Sequence, residues 1–486
     1  MKNNLDQNWK AWLAAHSEDN GSPLYKKLAL FVMKEFENEA WMPGETLPSV
    51  REACRRLGIS RNTAVSCFAF LEAQGVIRVE PRKRAVFVKP AQNEASPDWH
   101  GLFSRSGILV PPVAVHHQKK QVLLQDGAVN LSRRMDAGWD GLESLRFTET
   151  YAERALASLR AGRFPDLYDE QGLLPLREQL CEWLRASGIR CDPGEILVVS
   201  RRMQVYNLLS EVFLSPCIRA CYQRVSFLNF YRAGVMRSAR RILLPADEKG
   251  LDIGPMRLAK GPRILFIQPA GAEPCGTVTD RERREEIMAF CAAQRVPVVE
   301  DAVMDPLQKE RLPSLKSMDR TGCVIHIGGI HGPLTPGMSL DWVAAPRPVI
   351  NALLTVVRRE AQFPSEMNQM ILAEVMRDGK LAEYFERQGE ALRKKRAECE
   401  AILEKHLGGL ASWSRDQAWG RIWLVFREGV SVRRLYAERQ DVNFFPGEFY
   451  GDASDRSMLL YIFCARETFE EGVRRLRRLI GKVCGI

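Results

Sequence analysis

The sequence predicts an α/β chain in two parts. A small helical unit closed by a two-stranded hairpin comes first. A larger layered domain with a mostly parallel sheet follows, ending in a small α+β portion. Three observations carry this. Apolar residues within 23–73 recur at helical spacing, and two short extended runs follow them. Beyond about residue 126, short apolar strands alternate with helical stretches. From about residue 379 a long helix leads into two more strands and a basic terminal helix.

The first helix lies in PLYKKLALFVMKEFENEAW (23–41), where Leu24, Leu28, Phe31, Val32 and Phe36 share a stripe. MPGE then marks a turn. In SVREACRRLG, Ser49 caps a second helix, Glu52 completes a capping box, and Gly58 closes it. Ser60 caps a third helix, SRNTAVSCFAFLEAQG, whose Ala64, Phe68 and Leu71 face inward and whose Arg61, Asn62 and Thr63 point out. The runs VIRVE and AVFVKP bracket the basic turn PRKR. This is a helix–turn–helix followed by a hairpin wing. Short polar side chains at such a helix N-terminus can meet base edges in the major groove, and a cationic hairpin tip can lie on the phosphate backbone. Arg51, Arg55, Arg56, Arg61, Arg78, Arg82, Lys83, Arg84 and Lys89 outweigh the few acids here, the electrostatic footprint of a polyanion partner.

The stretch GETLPSVREACRRLGISRNTAVSCFAFLEAQGVI resembles the winged-helix DNA-binding domain of the GntR regulators, through LPS-x-R, SR-x-T and L-x-x-x-G at matching offsets. The resemblance implies that Ser49, Arg51, Ser60, Arg61, Asn62 and Thr63 meet duplex DNA, with Lys83 and Arg84 at a wing tip where the family often has glycine. Residues 1–89 then form the winged helix-turn-helix domain. Residues 90–125, rich in proline and polar residues, read as a linker. His116 and His117 lie in it without a third ligand nearby, so no metal site is expected.

Residues 126–486 alternate helices with the strands EILVVS, IRACY, RILLP, RILFIQP, VPVVED and CVIHIG. The large part spans about 126–378 and a C-terminal subdomain about 379–486. LYDEQGLLPLREQL, IQPAGAEPCG, VPVVEDAVMD and HIGGIHGPLTPGMSLDWVAAP resemble the fold-type I aminotransferases, and the whole chain is similar to the MocR regulators, which join a GntR-type winged helix to such a domain.

That resemblance implies a pyridoxal phosphate site, yet the residues at its positions have changed. The Schiff-base lysine falls at Gly332, beside His331, and the phosphate-gripping arginine at Ser339. The ring-oxygen Asn or Gln falls at Ala272, the Tyr at Val303, and the substrate-carboxylate arginine at Leu460. Asp301 keeps its type, and Phe227 could supply a stacking ring. No lysine lies between Lys316 and Lys380, so a small shift of register restores none. The cofactor is expected lost and the domain catalytically dead.

At the strand-to-helix turn that cradles the phosphate in the family stand Arg201 and Arg202. Two cations at a helix N-terminus oppose its dipole, at a cost of a few tenths to about 1 kcal/mol. A ligand anion or an internal carboxylate such as Asp301 would offset this if one arginine reaches inward. The alternative is that both pair on the surface.

The expected function is sequence-specific regulation of transcription by a homodimer, with an unidentified small effector as a further partner. A regulator that senses pyridoxal phosphate non-covalently, or another anion, is the alternative, and a working aminotransferase the remote one. The chain of 486 residues has a net charge of +10 and twelve scattered cysteines without a CxxC pair, which suits reduced thiols in the cytoplasm. No apolar run of about 18 residues suggests a membrane span.

Overall fold

The computed structural model describes residues 23–37, 46–73, 76–79, 84–87, 129–130, 142–164, 166–226, 239–330, 338–414 and 420–485. They fall into two compact units, one within residues 1–108 and one within 109–486. The expected linker, His116, His117 and the wing-tip Lys83 lie outside the described residues.

In the first unit, helices α1 (Leu24–Glu37), α2 (Val50–Leu57) and α3 (Arg61–Ala73) precede a hairpin of Ile77–Arg78 and Val86–Phe87. Ile77 pairs with Phe87 and Arg78 with Val86. The Leu47 N–H donates to Ala85 O (2.8 Å), which ties the segment just before α2 to the hairpin. Leu28, Phe31 and Val32 of α1 pack with Leu47, Cys67, Leu71, Val76 and Ile77. Two stripe assignments shift. Leu24 is exposed, and the inner stripe of α3 is Ala64, Cys67 and Leu71, with Phe68 half-buried at its edge. The turn between α2 and α3 is set by Gly58, whose φ of 67° is left-handed and whose N–H closes on Cys54 O (3.0 Å). Ser49 caps α2 by accepting from Glu52 N (3.3 Å). The reciprocal half of the capping box gives way to ion pairs: the Glu52 carboxylate turns to Arg56 (2.5 Å) and Arg84 (3.6 Å).

In the second unit seven strands form the central sheet. They are β1 (Ile196–Val199), β2 (Arg219–Gln223), β3 (Arg240–Leu244), β4 (Arg263–Ile267), β5 (Val298–Asp301), β6 (Val324–Ile330) and β7 (Leu340–Ala344). Their spatial order is β1-β7-β6-β5-β4-β2-β3. All neighbours run parallel except β7, which is antiparallel to β6 and β1. A four-stranded antiparallel sheet, β8 (Ala411–Trp413), β9 (Arg421–Phe426), β10 (Phe445–Pro446) and β11 (Ser457–Tyr461), lies beyond the long helix Lys380–Leu407. The basic terminal helix Arg466–Cys484 buries Phe469, Val473, Leu476 and Ile480 and is a packed amphipathic helix. Periodicity does not single out helix Glu366–Arg377. Every residue from Gln369 to Met376 is buried, so it has no polar face to mark it.

Alternation along β5 sorts two adjacent carboxylates to opposite faces of the sheet. Val298 and Glu300 face helix α6 (Arg281–Gln294), where Val298 packs with Ile287, Met288 and Cys291. Val299 and Asp301 face α5 (Arg202–Phe213), the helix that follows α4 (Leu174–Ala186) in the chain. Glu300 is fully buried, yet its carboxylate is held below the usual range. Burial works against it, but the His326 ring at 3.0 Å and the backbone N–H groups of Leu315 (2.6 Å) and Lys316 (3.1 Å) more than offset that.

Removing one partner of a buried charged pair typically costs about 3–5 kcal/mol. Glu300→Ala is therefore expected to destabilise the chain by about that much in urea unfolding, and Glu300→Gln, which still accepts hydrogen bonds, by clearly less.

Candidate functional site

Two places carry the expected site residues, one in each unit. In the first, Arg61 begins α3, with Arg61, Asn62, Val65, Ser66 and Ala69 exposed along one face. Ser60 caps this helix: its Oγ accepts from Thr63 N (3.1 Å) and lies 2.8 Å from Thr63 Oγ1. Thr63 is thus turned to the cap, while Arg61 and Asn62 are open to solvent. Arg51 is exposed on α2, and Ser49 is engaged as its cap. Arg84 is exposed at the base of the wing, loosely paired with Glu52. Val65 was not among the expected contacts; a large apolar side chain, 48% exposed on this face, was the signal to notice.

In the second unit the strand-to-helix turn after β1 places Arg201 and Arg202 at the first positions of α5. Arg201 is exposed, with extended backbone. Arg202 turns inward. Its Nη1 donates to Asp301 Oδ2 (3.2 Å) and its Nη2 to Glu273 Oε1 (3.2 Å), and its side chain is 11% exposed. The same Asp301 oxygen accepts from Gln268 Nε2 (2.9 Å) and from the Tyr206 hydroxyl, one turn along α5. Its other oxygen takes the Val303 N–H (3.3 Å). Glu273 also receives Arg421 Nη2 (2.5 Å), from the first residue of β9. Gln268 Oε1 in turn accepts from Glu273 N (2.9 Å).

The result is a buried alternation of charge: Arg421, Glu273, Arg202, Asp301. Burial disfavours the charge on Arg202, but Asp301 and Glu273 outweigh it and raise its pKa. Arg421 behaves likewise through Glu273. Tyr206 is held protonated by burial and by the Asp301 charge.

Asp341 completes the cluster. Gly329 stands opposite it on β6, and a side chain there would collide with the Asp341 carboxylate, since a Cβ would lie 1.7 Å from Oδ1. The carboxylate accepts the backbone N–H of Arg202, so it sits at the N-terminus of α5, where a helix favours an anion. Burial nevertheless pushes its pKa up to about 7, against the pull of Arg202.

The remaining expected positions are dispersed or inert. Ala272 and Val303 are buried without polar side chains, Leu460 is fully buried in β11, and Ser339 is half-buried just before β7. Phe227, His331 and Gly332 lie outside the described residues. Gln268, Glu273, Tyr206, Arg421 and Asp341 were missed. Arg421 sits one strand from Leu460, paired in register with Tyr461 and 5.9 Å from its ring. Among the described residues no three His, Cys, Asp or Glu groups could hold a metal ion, and no helix is long and apolar enough to cross a membrane.

No family model matches the chain. It is 26% identical over 474 residues to the HTH-type transcriptional regulator YdfD of Bacillus subtilis, covering 94% of this chain and 96% of that one. It is 21% identical over 449 residues to the HTH-type transcriptional regulator NorG of Staphylococcus aureus, covering 90% and 100%. A 2-aminoadipate transaminase of Thermus thermophilus is 26% identical over 323 residues, covering 64% of this chain and 80% of that one. Among solved structures, the aminotransferase LysN of the same organism superposes with a TM-score of 0.66 at 22% identity, over 79% of this chain and 99% of that one. A multiple-substrate aminotransferase of Thermococcus profundus gives 0.70 at 20% identity, over the same shares. The large unit therefore has the fold-type I aminotransferase fold, and the chain is similar along nearly its whole length to helix-turn-helix regulators.

Because the folded Asp341 binds its proton up to about pH 7 and the unfolded one only to about pH 4, the stability this group gives is lost as pH rises through that window. Asp341→Asn should abolish this dependence. Thermal unfolding from about pH 5 to about pH 8 should show the variant gaining steadily on the parent chain, and a constant difference would refute the assignment.

Proposed function

We propose that this chain is a sequence-specific DNA-binding transcriptional regulator of the MocR type, whose aminotransferase-like unit no longer performs catalysis. The observation that carries the DNA-binding half is the exposed first turn of α3. Arg61 and Asn62 project from a helix N-terminus that Ser60 has already capped, so their donors are not needed by the fold. Such a turn fits the major groove, where arginine pairs with guanine and asparagine with adenine. Val65, one turn further, suits the methyl group of thymine. Arg51 and Arg84 are placed to neutralise phosphates.

The loss of catalysis rests on the buried charge cluster. Pyridoxal phosphate chemistry needs a free lysine amine and a carboxylate available to the ring nitrogen. Asp301 Oδ2 already accepts from Arg202, Tyr206 and Gln268. The N-terminus of α5, which would hold a phosphate, carries the Asp341 carboxylate instead. No lysine stands between 316 and 380. The residues present do not fit that cofactor. The regulator works in the cytoplasm as a homodimer, and its large unit serves dimerisation and effector sensing.

Two measurements test this reading. Arg61→Ala should weaken binding to a selected operator by about 1–3 kcal/mol and relax base preference at one position; an equal loss on all sequences would make Arg61 a phosphate contact. Addition of pyridoxal phosphate to the purified chain should give no internal-aldimine absorbance band, and turnover of any amino acid would overturn the non-catalytic reading.

A further inference from the structure

Five neighbouring strands of the central sheet, β6, β5, β4, β2 and β3 in spatial order, run parallel, so their first residues lie along one edge. The segments that feed them are DRTGC (319–323), AAQRVP (292–297), AKGPR (259–263), SPCIRA (215–220) and ARR (239–241). In that order they carry Arg320, then Arg295, Lys260 with Arg263, Arg219, and Arg240 with Arg241. Against these seven cations they hold one acid, Asp319. Its carboxylate is taken up by the backbone N–H groups of Thr321 (3.0 Å), Gly322 (2.9 Å) and Val324 (2.9 Å) and by Lys316 (3.5 Å).

Register tightens the row. Arg219 pairs with Arg240 on one side and with Arg263 on the other, so three arginines stand abreast on adjacent strands. They share the sheet face of Cys221, Leu244 and Leu265, which lie two or four residues further along the same strands. Like charges side by side across strands are destabilising. Arg263 is held by Ala259 O and by the Phe290 ring of α6 (5.5 Å). Arg219 lies over Gly261, where a Cβ would stand 2.8 Å from its Nη1. Arg219 and Arg263 are half-buried, and the other five cations are exposed.

The fold supplies little to balance this charge. Among the described residues no carboxylate pairs with Arg219, Arg240, Lys260, Arg263, Arg295 or Arg320. On the flanking helices, Glu211 of α5 is already paired with Arg359 (3.1 Å) and Glu286 of α6 with Arg257 (2.8 Å). Three helices, α5, Gly254–Leu258 and α6, end just before β2, β4 and β5. A helix C-terminus favours a cation, but at roughly half a charge each the three offset about 1.5 of the seven charges. Arg295 adds a separate mark. It closes α6 with a φ of 53°, in the left-handed region where glycine is usual, and the position carries a cation instead.

We propose that this edge is a second DNA-contacting surface, which takes the phosphate backbone of a duplex without reading its bases. Strands about 4.8 Å apart make the row about 19 Å long from β6 to β3, the length of about five to six base pairs at about 3.4 Å each. Guanidinium groups suit phosphate because they can donate two parallel hydrogen bonds to it. The choice of duplex DNA among polyanions rests on the regulator reading: a first unit bound to a duplex raises the local concentration of that backbone around the second.

The test uses the full chain and two duplexes, a selected operator alone and the same operator flanked on both sides by several helical turns of arbitrary sequence. The parent chain is expected to bind the longer duplex more tightly and with a steeper salt dependence. The triple variant Arg240→Gln, Lys260→Gln, Arg295→Gln should lose that gain. Its slope of log K against log salt on the longer duplex should be shallower by about 2–3, while binding to the short operator and base preference stay unchanged. All three residues are exposed, so the variant is expected to fold, and its thermal unfolding is measured alongside. Equal binding of both duplexes by the parent chain, or an unchanged slope in the variant, would overturn the proposal. So would retention on phosphatidylserine vesicles that depends on these three residues while the longer duplex is unaffected. Operator preference without a length effect defeats this inference and leaves the regulator standing. A length effect lost in the triple variant, with no preference for any sequence, does the reverse.

Discussion

The guanidinium of Arg202 is the piece on which the large unit's interior is arranged. It joins two carboxylates, Asp301 and Glu273, that no water reaches. Moving a carboxylate out of water costs several kcal/mol even after relaxation, and the shared guanidinium offsets that cost for both. Around this ion the remaining donors are placed in turn: Tyr206 and Gln268 on Asp301, Arg421 on Glu273. The network links α5, β5, the loop after β4 and the C-terminal sheet. Deleting Arg202 would take the guanidinium from Asp301 and leave Glu273 with Arg421 alone, so the cluster stands or falls as a set.

The two faces of the sheet then have different characters for a simple reason. Adjacent residues of a strand point opposite ways, so VVED sends Glu300 to one side and Asp301 to the other. Each carboxylate finds a different solution. Asp301 takes side-chain donors from a helix and a loop, whereas Glu300 takes a histidine and the backbone N–H groups opening a short helix. Gly328 and Gly329 do the complementary work on β6. Their missing side chains admit the Trp342 ring on one face and the Asp341 carboxylate on the other.

Much of the fold is written locally. The Ser49 and Ser60 caps, Gly58 and the apolar strands can be read from short windows, because capping and periodicity act over a few residues. The inward turn of Arg202 was one of two open placements, and the dipole argument already named Asp301 as a partner. What could not be read depends on distant register. Arg421 reaches Glu273 across 148 positions of sequence, through the pairing of β9 with β11. Asp341 reaches the start of α5 because β7 runs antiparallel beside β1. The inner stripe of α3 was misread for a different reason. Phe68 is larger and more apolar than Cys67, yet helix geometry places the smaller residue against α1.

A ligand shifts a protein's behaviour only by binding its conformations unequally. The Arg202 cluster is poorly suited to that task. The donors that join Arg202, Tyr206 and Gln268 to Asp301 already have acceptors, although Arg421 Nε is buried without one. The opposite face differs. Gln308 Oε1 and the Trp342 N–H are buried there without partners.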